Sequence, residues 1–290
     1  MIEVRYEEQK YFHLFSEGTK EDVLFHNEEE FNVGMNIVAM AAYSTGMEIL
    51  AFVLMDTHFH FVIHSSEEGA VAFVTKLMQM YQCRRLKQKP THKMKTVKWT
   101  MSHLDTTKYL MIAIVYVLRN PIFSTHDILF NYQWSSANLY FNSKQRYSTL
   151  SSSYKKVEEF QVVAMRRLLG TKLKLPLSWL ITSSNVIWPG NYINIKEVEN
   201  LFRDANNFLY RVSYINREDL ALLEQGNFRI GVTDLEARSI AKKYAKERFG
   251  TDEFGQISPL QKQILAKELY TKASVNVKQI KRILNVVFKV

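Results

Sequence analysis

The sequence predicts an α+β domain, an antiparallel sheet with helices on one face, followed by an all-α C-terminal domain. Three observations carry this reading. Stretches with strand and helix character alternate through the first half, and the strands are rich in β-branched and aromatic residues. A polar, serine-rich tract interrupts the chain at 142–153. Beyond it, helix-start signals recur at Thr233, Ser258 and Asn276.

In chain order, a strand is expected at about 11–15 and a helix at about 28–42. A strand at 48–54 leads through Met55-Asp56-Thr57 into a second strand ending near His64, and a helix follows at about 69–86. Residues 87–102 read as basic and irregular. The run 109–121 reads as a buried helix that Pro121, and the restricted residue before it, should stop. The expected division is a first domain at 1–142, a linker at 143–155 and a basic helical domain at 156–290. In the last of these, Thr233-Asp234-Leu235-Glu236 is a capping box for a helix that Gly250 should close, and Ser258-Pro259-Leu260-Gln261 is a second with proline at the first helical position. The helix after Asn276 carries Lys278, Gln279, Lys281 and Arg282 around an apolar stripe of Val277, Ile280, Ile283 and Leu284. With the helix before it, across Ala273-Ser274-Val275, it reads either as a DNA-reading helix-turn-helix at about 258–288 or as part of a plain helical bundle.

At 290 residues, 47% hydrophobic and 23% charged, the chain is an ordinary globular protein rather than a disordered one. Its longest apolar run, 109–118, is well short of the roughly 20 residues that span a bilayer. The first residues lack the basic and apolar regions of a signal peptide. A cytoplasmic location and no membrane partner are therefore expected. A lone cysteine, Cys83, excludes an internal disulfide and a multi-cysteine zinc site, and reads as a small buried apolar residue. The net charge of +9 is unevenly spread: residues 1–75 hold three Lys/Arg against thirteen Asp/Glu, whereas residues 76–142 hold ten against two. Such a distribution suits a polyanion bound over part of the surface, or a solvated basic face.

The chemistry centres on His58-Phe59-His60. Alternation along a strand projects His58 and His60 from one face while Phe59, Phe61 and Ile63 pack on the other, so the imidazoles make a seat for a metal ion. On the helix at 109–121, Tyr116 and Asn120 share a face. A phenol, with a reference pKa of about 10, is a poor nucleophile unless a base or metal assists it. A divalent ion on His58 and His60 would withdraw charge from a phosphate, with Asn120 as a neutral oxygen ligand. A histidine pair with a tyrosine on a separate helix suggests phosphodiester chemistry on nucleic acid. Core packing for Tyr116 and a helix C-cap for Asn120 are the structural alternatives.

Four motifs in order resemble the single-tyrosine HUH transposases, in particular the REP-associated tyrosine transposases and their insertion-sequence relatives. They are Tyr11-Phe12-His13-Leu14, the stretch from Leu54 through His58 and His60 to Phe61, the stretch from Tyr116 to Pro121, and Trp134-Ser135-Ser136 with Tyr140 after it. The resemblance covers about residues 8–142. It implies a ferredoxin-like catalytic domain in which Tyr116 attacks a DNA phosphate, giving a 5′-phosphotyrosine and a free 3′-hydroxyl. It further implies Mg²⁺ or Mn²⁺ on His58, His60 and Asn120, a substrate of single-stranded or hairpin DNA, and a protein acting as a homodimer or alone. Arg84, Arg85, Lys87, Lys89, Lys93, Lys95 and Lys98, with Trp99 among them, would line a single-strand groove or form a solvated loop, and Arg119 would contact phosphate or make a surface salt bridge. Asp56-Thr57 stands where the family has Pro-Asn, and its Gly-x-Leu-Trp-Gln stretch is not found between 87 and 102. The alternatives are a catalytically silent DNA-binding regulator with the same fold and a metal-dependent nuclease in which water replaces Tyr116.

Overall fold

The computed structural model describes residues 9–16, 23–88, 97–124, 129–144, 154–214, 234–272, 275 and 277–286. Contacts divide the chain into two compact units, residues 1–119 with 128–215, and residues 120–127 with 216–290.

The chain first runs through β1 (Lys10–Ser16), α1 (Glu28–Thr45), β2 (Glu48–Leu54), β3 (Phe59–Ser65), α2 (Glu67–Gln88), β4 (Trp99–His103) and α3 (Thr107–Ser124), all of the first unit except the end of α3 from Asn120 on, which groups with the second. The four strands form one antiparallel sheet in the order β2-β3-β1-β4. Local chemistry sets the element ends. Asn27 caps α1 by accepting from the Glu30 N–H at 2.9 Å, three glutamates occupy its first turn, and Gly46 closes it at φ 64°. Between β2 and β3 the Met55 N–H donates to the His58 carbonyl at 2.7 Å, which leaves Asp56 and Thr57 as a two-residue turn.

Pairing of Leu14 with Phe61, Phe12 with Ile63 and Phe52 with Phe61 gathers the apolar side chains on one face of the sheet. Phe12, Leu14, Phe52, Phe59, Phe61 and Ile63 are buried there, and Phe73 of α2 meets Phe61 with ring centroids 5.3 Å apart. The β2 edge is covered rather than exposed. Leu54 donates to the Trp134 carbonyl and Ser136 to the Phe52 carbonyl, at 2.9 and 3.1 Å, while the hydroxyls of Tyr132 and Tyr140 donate to the carbonyls of Leu54 and Leu50. Trp134 stacks on Phe31 of α1 at 4.2 Å, so the Trp-Ser-Ser motif seals a sheet edge.

The first unit continues through β5 (Tyr154–Lys156), α4 (Val162–Leu169), β6 (Leu180–Thr182), α5 (Ile195–Phe202) and α6 (Ala205–Ser213). The all-α reading from 156 onward is therefore corrected: β5 and β6 form a second, two-stranded sheet. Three-residue strands are too short to show an alternation. The division expected at 143–155 also falls inside the first unit. Residues 154–214 are tied to its sheet and to α1: Asn194 donates to the Ile49 carbonyl at 2.9 Å, and buried Asn36 binds Asn185 and Ile187 at 3.0 and 2.7 Å.

Three further expectations change. Residues 99–103, read as irregular, form β4 on the open side of β1, a half-buried edge strand whose weak alternation follows a run of lysines. Helices do not cover one face alone. α1 and α2 lie on the apolar face, while α3 places Tyr116, and the first turn of α5 places Glu197, against the other. Pro121 lies inside α3, which ends at Ser124. Proline removes one intrahelical donor and crowds the preceding turn, but so near the helix end the loss of one bond does not stop it.

In the second unit, α7 (Asp234–Phe249), α8 (Pro259–Lys272) and α9 (Val277–Leu284) surround a core of Ala237, Ala241, Ala245, Leu265, Ala266, Leu269, Ile280 and Leu284. Alanines at every fourth position of α7 let its neighbours approach closely. Gly250 closes α7 at φ 76°. The capping box at Ser258 is complete, its hydroxyl accepting from the Gln261 N–H at 3.3 Å and its own N–H donating to Gln261 Oε1 at 2.7 Å. Among the described residues no helix is long and apolar enough to cross a membrane.

Candidate active site

The face of the sheet opposite the apolar one carries Tyr11, His13 and Phe15 from β1 and His60, Val62 and His64 from β3, because Phe15 pairs with His60, His13 with Val62 and Tyr11 with His64. His58 lies just before β3, in the hairpin turn rather than in the strand. Its ring still stands beside that of His60, with centroids 5.0 Å apart and planes at 89°. Tyr116 comes from α3, and its ring meets His60 edge-on at 5.5 Å and His13 at 6.0 Å. Three residues expected at one site, His58, His60 and Tyr116, are thus brought together. Asn120 follows one turn later on α3 and is 8% exposed.

Both expected metal ligands are fastened at the same ring nitrogen. His58 Nδ1 lies 3.0 Å from Thr57 Oγ1, and His60 Nδ1 lies 3.0 Å from His13 Nε2. A cation held by the pair would therefore be held through Nε2 of each. Thr57, which stands where the resembled family has asparagine, supplies the hydroxyl partner. Burial depresses the pKa of His13 to about 3. Burial, followed by the proximity of His58 and His13, keeps His60 well below the usual histidine range. Both rings are neutral at pH 7, the state that metal coordination requires. Two imidazole rings side by side, each with its Nε2 turned away from the Nδ1 contact, fit a divalent ion.

His13 is the site residue that sequence reasoning did not select. Its motif was visible, and alternation puts it on a defined face of β1. Its approach to a histidine 47 positions away depends on strand register, for which the local sequence carries no signal.

The expected DNA contacts fare differently. Arg119 is 5% exposed and donates to the Val212 carbonyl at 3.0 Å, so it does not project toward a phosphate. Arg85 reaches back to the carbonyls of Val23 and Leu24 at 3.3 and 3.2 Å and stands 3.9 Å from Glu30, fastening the segment before α1. Arg84 is half-buried over Gly170, where a Cβ would stand 2.7 Å from its guanidinium. These three arginines serve the protein's own packing, a role that a run of basic residues does not distinguish from a solvent-facing one. Lys98, Lys281 and Arg282 are exposed. Lys89, Lys93 and Lys95 lie outside the described residues, as do the side chains of Lys87, Lys278 and Gln279. Cys83, expected to be buried, is exposed.

Toward the other end of the same sheet face, Glu48, His64 and Glu197 converge with ligand atoms within 4.8 Å of one another, a set that could hold a metal ion. Its oxygens already have protein partners. Glu48 Oε2 lies 3.0 Å from His64 Nδ1, Tyr11 donates to Glu197 Oε1 at 2.6 Å, and Asn194 Nδ2 donates to Glu48 Oε1 and, at 3.0 Å, to Glu197 Oε2. The bond to Glu197 pushes the Tyr11 phenol up to about 12. The cluster fastens the start of α5 to the sheet.

No protein-family model and no curated protein matches the chain. A solved REP-associated tyrosine transposase bound to a REP hairpin is similar to it at 12% identity, over 46% of this chain and 79% of that one, with a TM-score of 0.35. A likeness of that size is too slight to carry an argument about this chain.

Proposed function

We propose that this protein is a transposase-like DNA strand transferase, with a ferredoxin-like catalytic unit that cleaves and rejoins single-stranded DNA through a 5′-phosphotyrosine at Tyr116. The observation that carries the reading is the meeting of His58, His60 and Tyr116 on one sheet face, in a chain whose four ordered motifs resemble the HUH transposases. The chain order β-α-β-β-α-β with strand order β2-β3-β1-β4 is that of the split βαβ unit and supports the fold part of the reading.

His58 and His60 would hold Mg²⁺ or Mn²⁺ through Nε2, with Asn120 as third ligand, and the bound ion would draw charge from the scissile phosphate. The β3 hairpin fixes one imidazole and the strand pairing fixes the other, so the chain supplies a rigid seat. Tyr116 would give up its phenolic proton and its oxygen would bond to phosphorus as the P–O3′ bond breaks, the departing 3′-oxygen taking up a proton to become the free 3′-hydroxyl. One phosphodiester replaces another, so the strand can be rejoined without an external energy source. Lys98, with Lys87, Lys89, Lys93 and Lys95 of the same basic run, would follow the single-stranded backbone. In the second unit, α8 and α9 with Lys278, Gln279, Lys281 and Arg282 would dock on duplex or hairpin DNA.

The test is to trap the product of single-stranded hairpin DNA with the protein and Mn²⁺, digest it with protease and nuclease, and measure peptide masses. A nucleotide-modified peptide containing Tyr116 is expected. A modified peptide lacking Tyr116 would contradict the reading. One observation favours a second reading, a DNA-binding regulator without catalysis: Tyr116 and His60 are only 2% and 5% exposed. DNA binding with no modified peptide in Mg²⁺ or Mn²⁺ would select it.

A further inference from the structure

We propose that His13 is a positioning residue for the metal seat, its Nε2 accepting the Nδ1–H of His60 and thereby fixing His60 in the tautomer whose Nε2 can bind a divalent cation. The inference rests on the reading that His58 and His60 hold such a cation. His13 lies on β1 opposite Val62, diagonal to His60, close enough for the two ring nitrogens to stand 3.0 Å apart with ring planes within 3° of parallel. Phe15 stacks on His13 at 4.8 Å and on His60 at 5.9 Å, and Tyr116 closes on both rings edge-on, so neither imidazole can turn away from the other.

A neutral imidazole carries one N–H and one lone pair, so a single proton lies between the facing nitrogens. If His13 supplied it, His60 would bear its own proton on Nε2 and have no lone pair there for an ion. If His60 supplies it, the lone pair is on Nε2. Only the second arrangement is compatible with coordination, because Nδ1 of His60 is already engaged. Metal-binding histidines are commonly oriented through the second ring nitrogen by a carboxylate, a carbonyl or water. Here a histidine of the neighbouring strand stands in that place. His58 is served separately by Thr57, so the two ligands are oriented by independent partners.

The experiment titrates the full chain with Mn²⁺ at constant pH, following free Mn²⁺ by electron paramagnetic resonance, for the wild type, His13→Phe, His13→Gln and His58→Ala. Thermal unfolding establishes that each variant is folded. His13→Phe keeps the ring and loses the acceptor, and is expected to weaken Mn²⁺ binding by about 10–100-fold. His13→Gln offers a carbonyl oxygen to His60 and is expected to recover most of that loss, which a purely structural role would not produce. Wild-type affinity in folded His13→Phe would overturn the proposal, as would His13→Gln binding no better than His13→Phe. Long-range ¹H–¹⁵N spectra of the wild type with Zn²⁺ provide a readout that needs no variant. His60 should carry its proton on Nδ1, and a proton on Nε2 would overturn the proposal. A wild type that binds no Mn²⁺, or binds it equally after His58→Ala, would instead defeat the underlying metal reading, and the proposal with it.

Discussion

His13 and His60 together bury two imidazoles that the unfolded chain exposes, and this gives the first unit a characteristic acid sensitivity. Both folded pKa values lie below the ordinary value of 6.5, that of His13 at about 3. Below pH 6.5 the unfolded chain therefore binds more protons than the folded one. The stability contributed by the neutral rings is complete above that pH and is lost as pH falls toward 3. Both groups act in the same direction, His60 through a depression that burial causes first and its histidine neighbours second. Urea unfolding at pH 7 and pH 5 should show a smaller acid loss for His13→Phe than for the wild type, and equal losses would contradict the burial argument. That His60 and Tyr116 stand on defined faces of their elements was legible because strand alternation and helix periodicity are local, whereas His58 joins them from the hairpin turn. The roles of His13, Arg84, Arg85 and Arg119 were not, because each depends on a partner distant in the chain.

Among elements, the helices were the easier part to read, since capping boxes and apolar periodicity mark them. The Ser258 box and the glycine stops at Gly46 and Gly250 show the local chemistry at work. The strands β4, β5 and β6 were not legible: one is a half-buried edge and two are only three residues long. The Trp-Ser-Ser segment shows how an element is completed from afar, its backbone pairing with β2 through Trp134 and Ser136. The Tyr140 hydroxyl bridges the Leu50 carbonyl and Ser136 Oγ in the buried core. Tyr140→Phe leaves the Leu50 carbonyl without this donor and should destabilise the first unit by about 1–3 kcal/mol in urea unfolding. A loss below about half a kcal/mol would show that the β2 edge is held by packing alone.

At the scale of the molecule, α1 and α2 pack on the apolar sheet face, and the opposite face carries His60 on its strand, His58 in the hairpin before it and Tyr116 on α3. The second unit supplies a separate helical core with exposed basic residues on its last helix. This separation was legible as a change in pattern, but its place was not, because residues 154–214 carry helix-like stretches while belonging with the sheet. A metal-dependent tyrosine nucleophile needs both the phenol of Tyr116 and the imidazole of His58. Wild-type, Tyr116→Phe and His58→Ala proteins are incubated with labelled single-stranded hairpin DNA and Mn²⁺, then resolved by denaturing electrophoresis. A protein-linked DNA band is expected in the wild type and in neither variant. A band that persists in Tyr116→Phe, or cleavage by that variant at the wild-type rate, would contradict it.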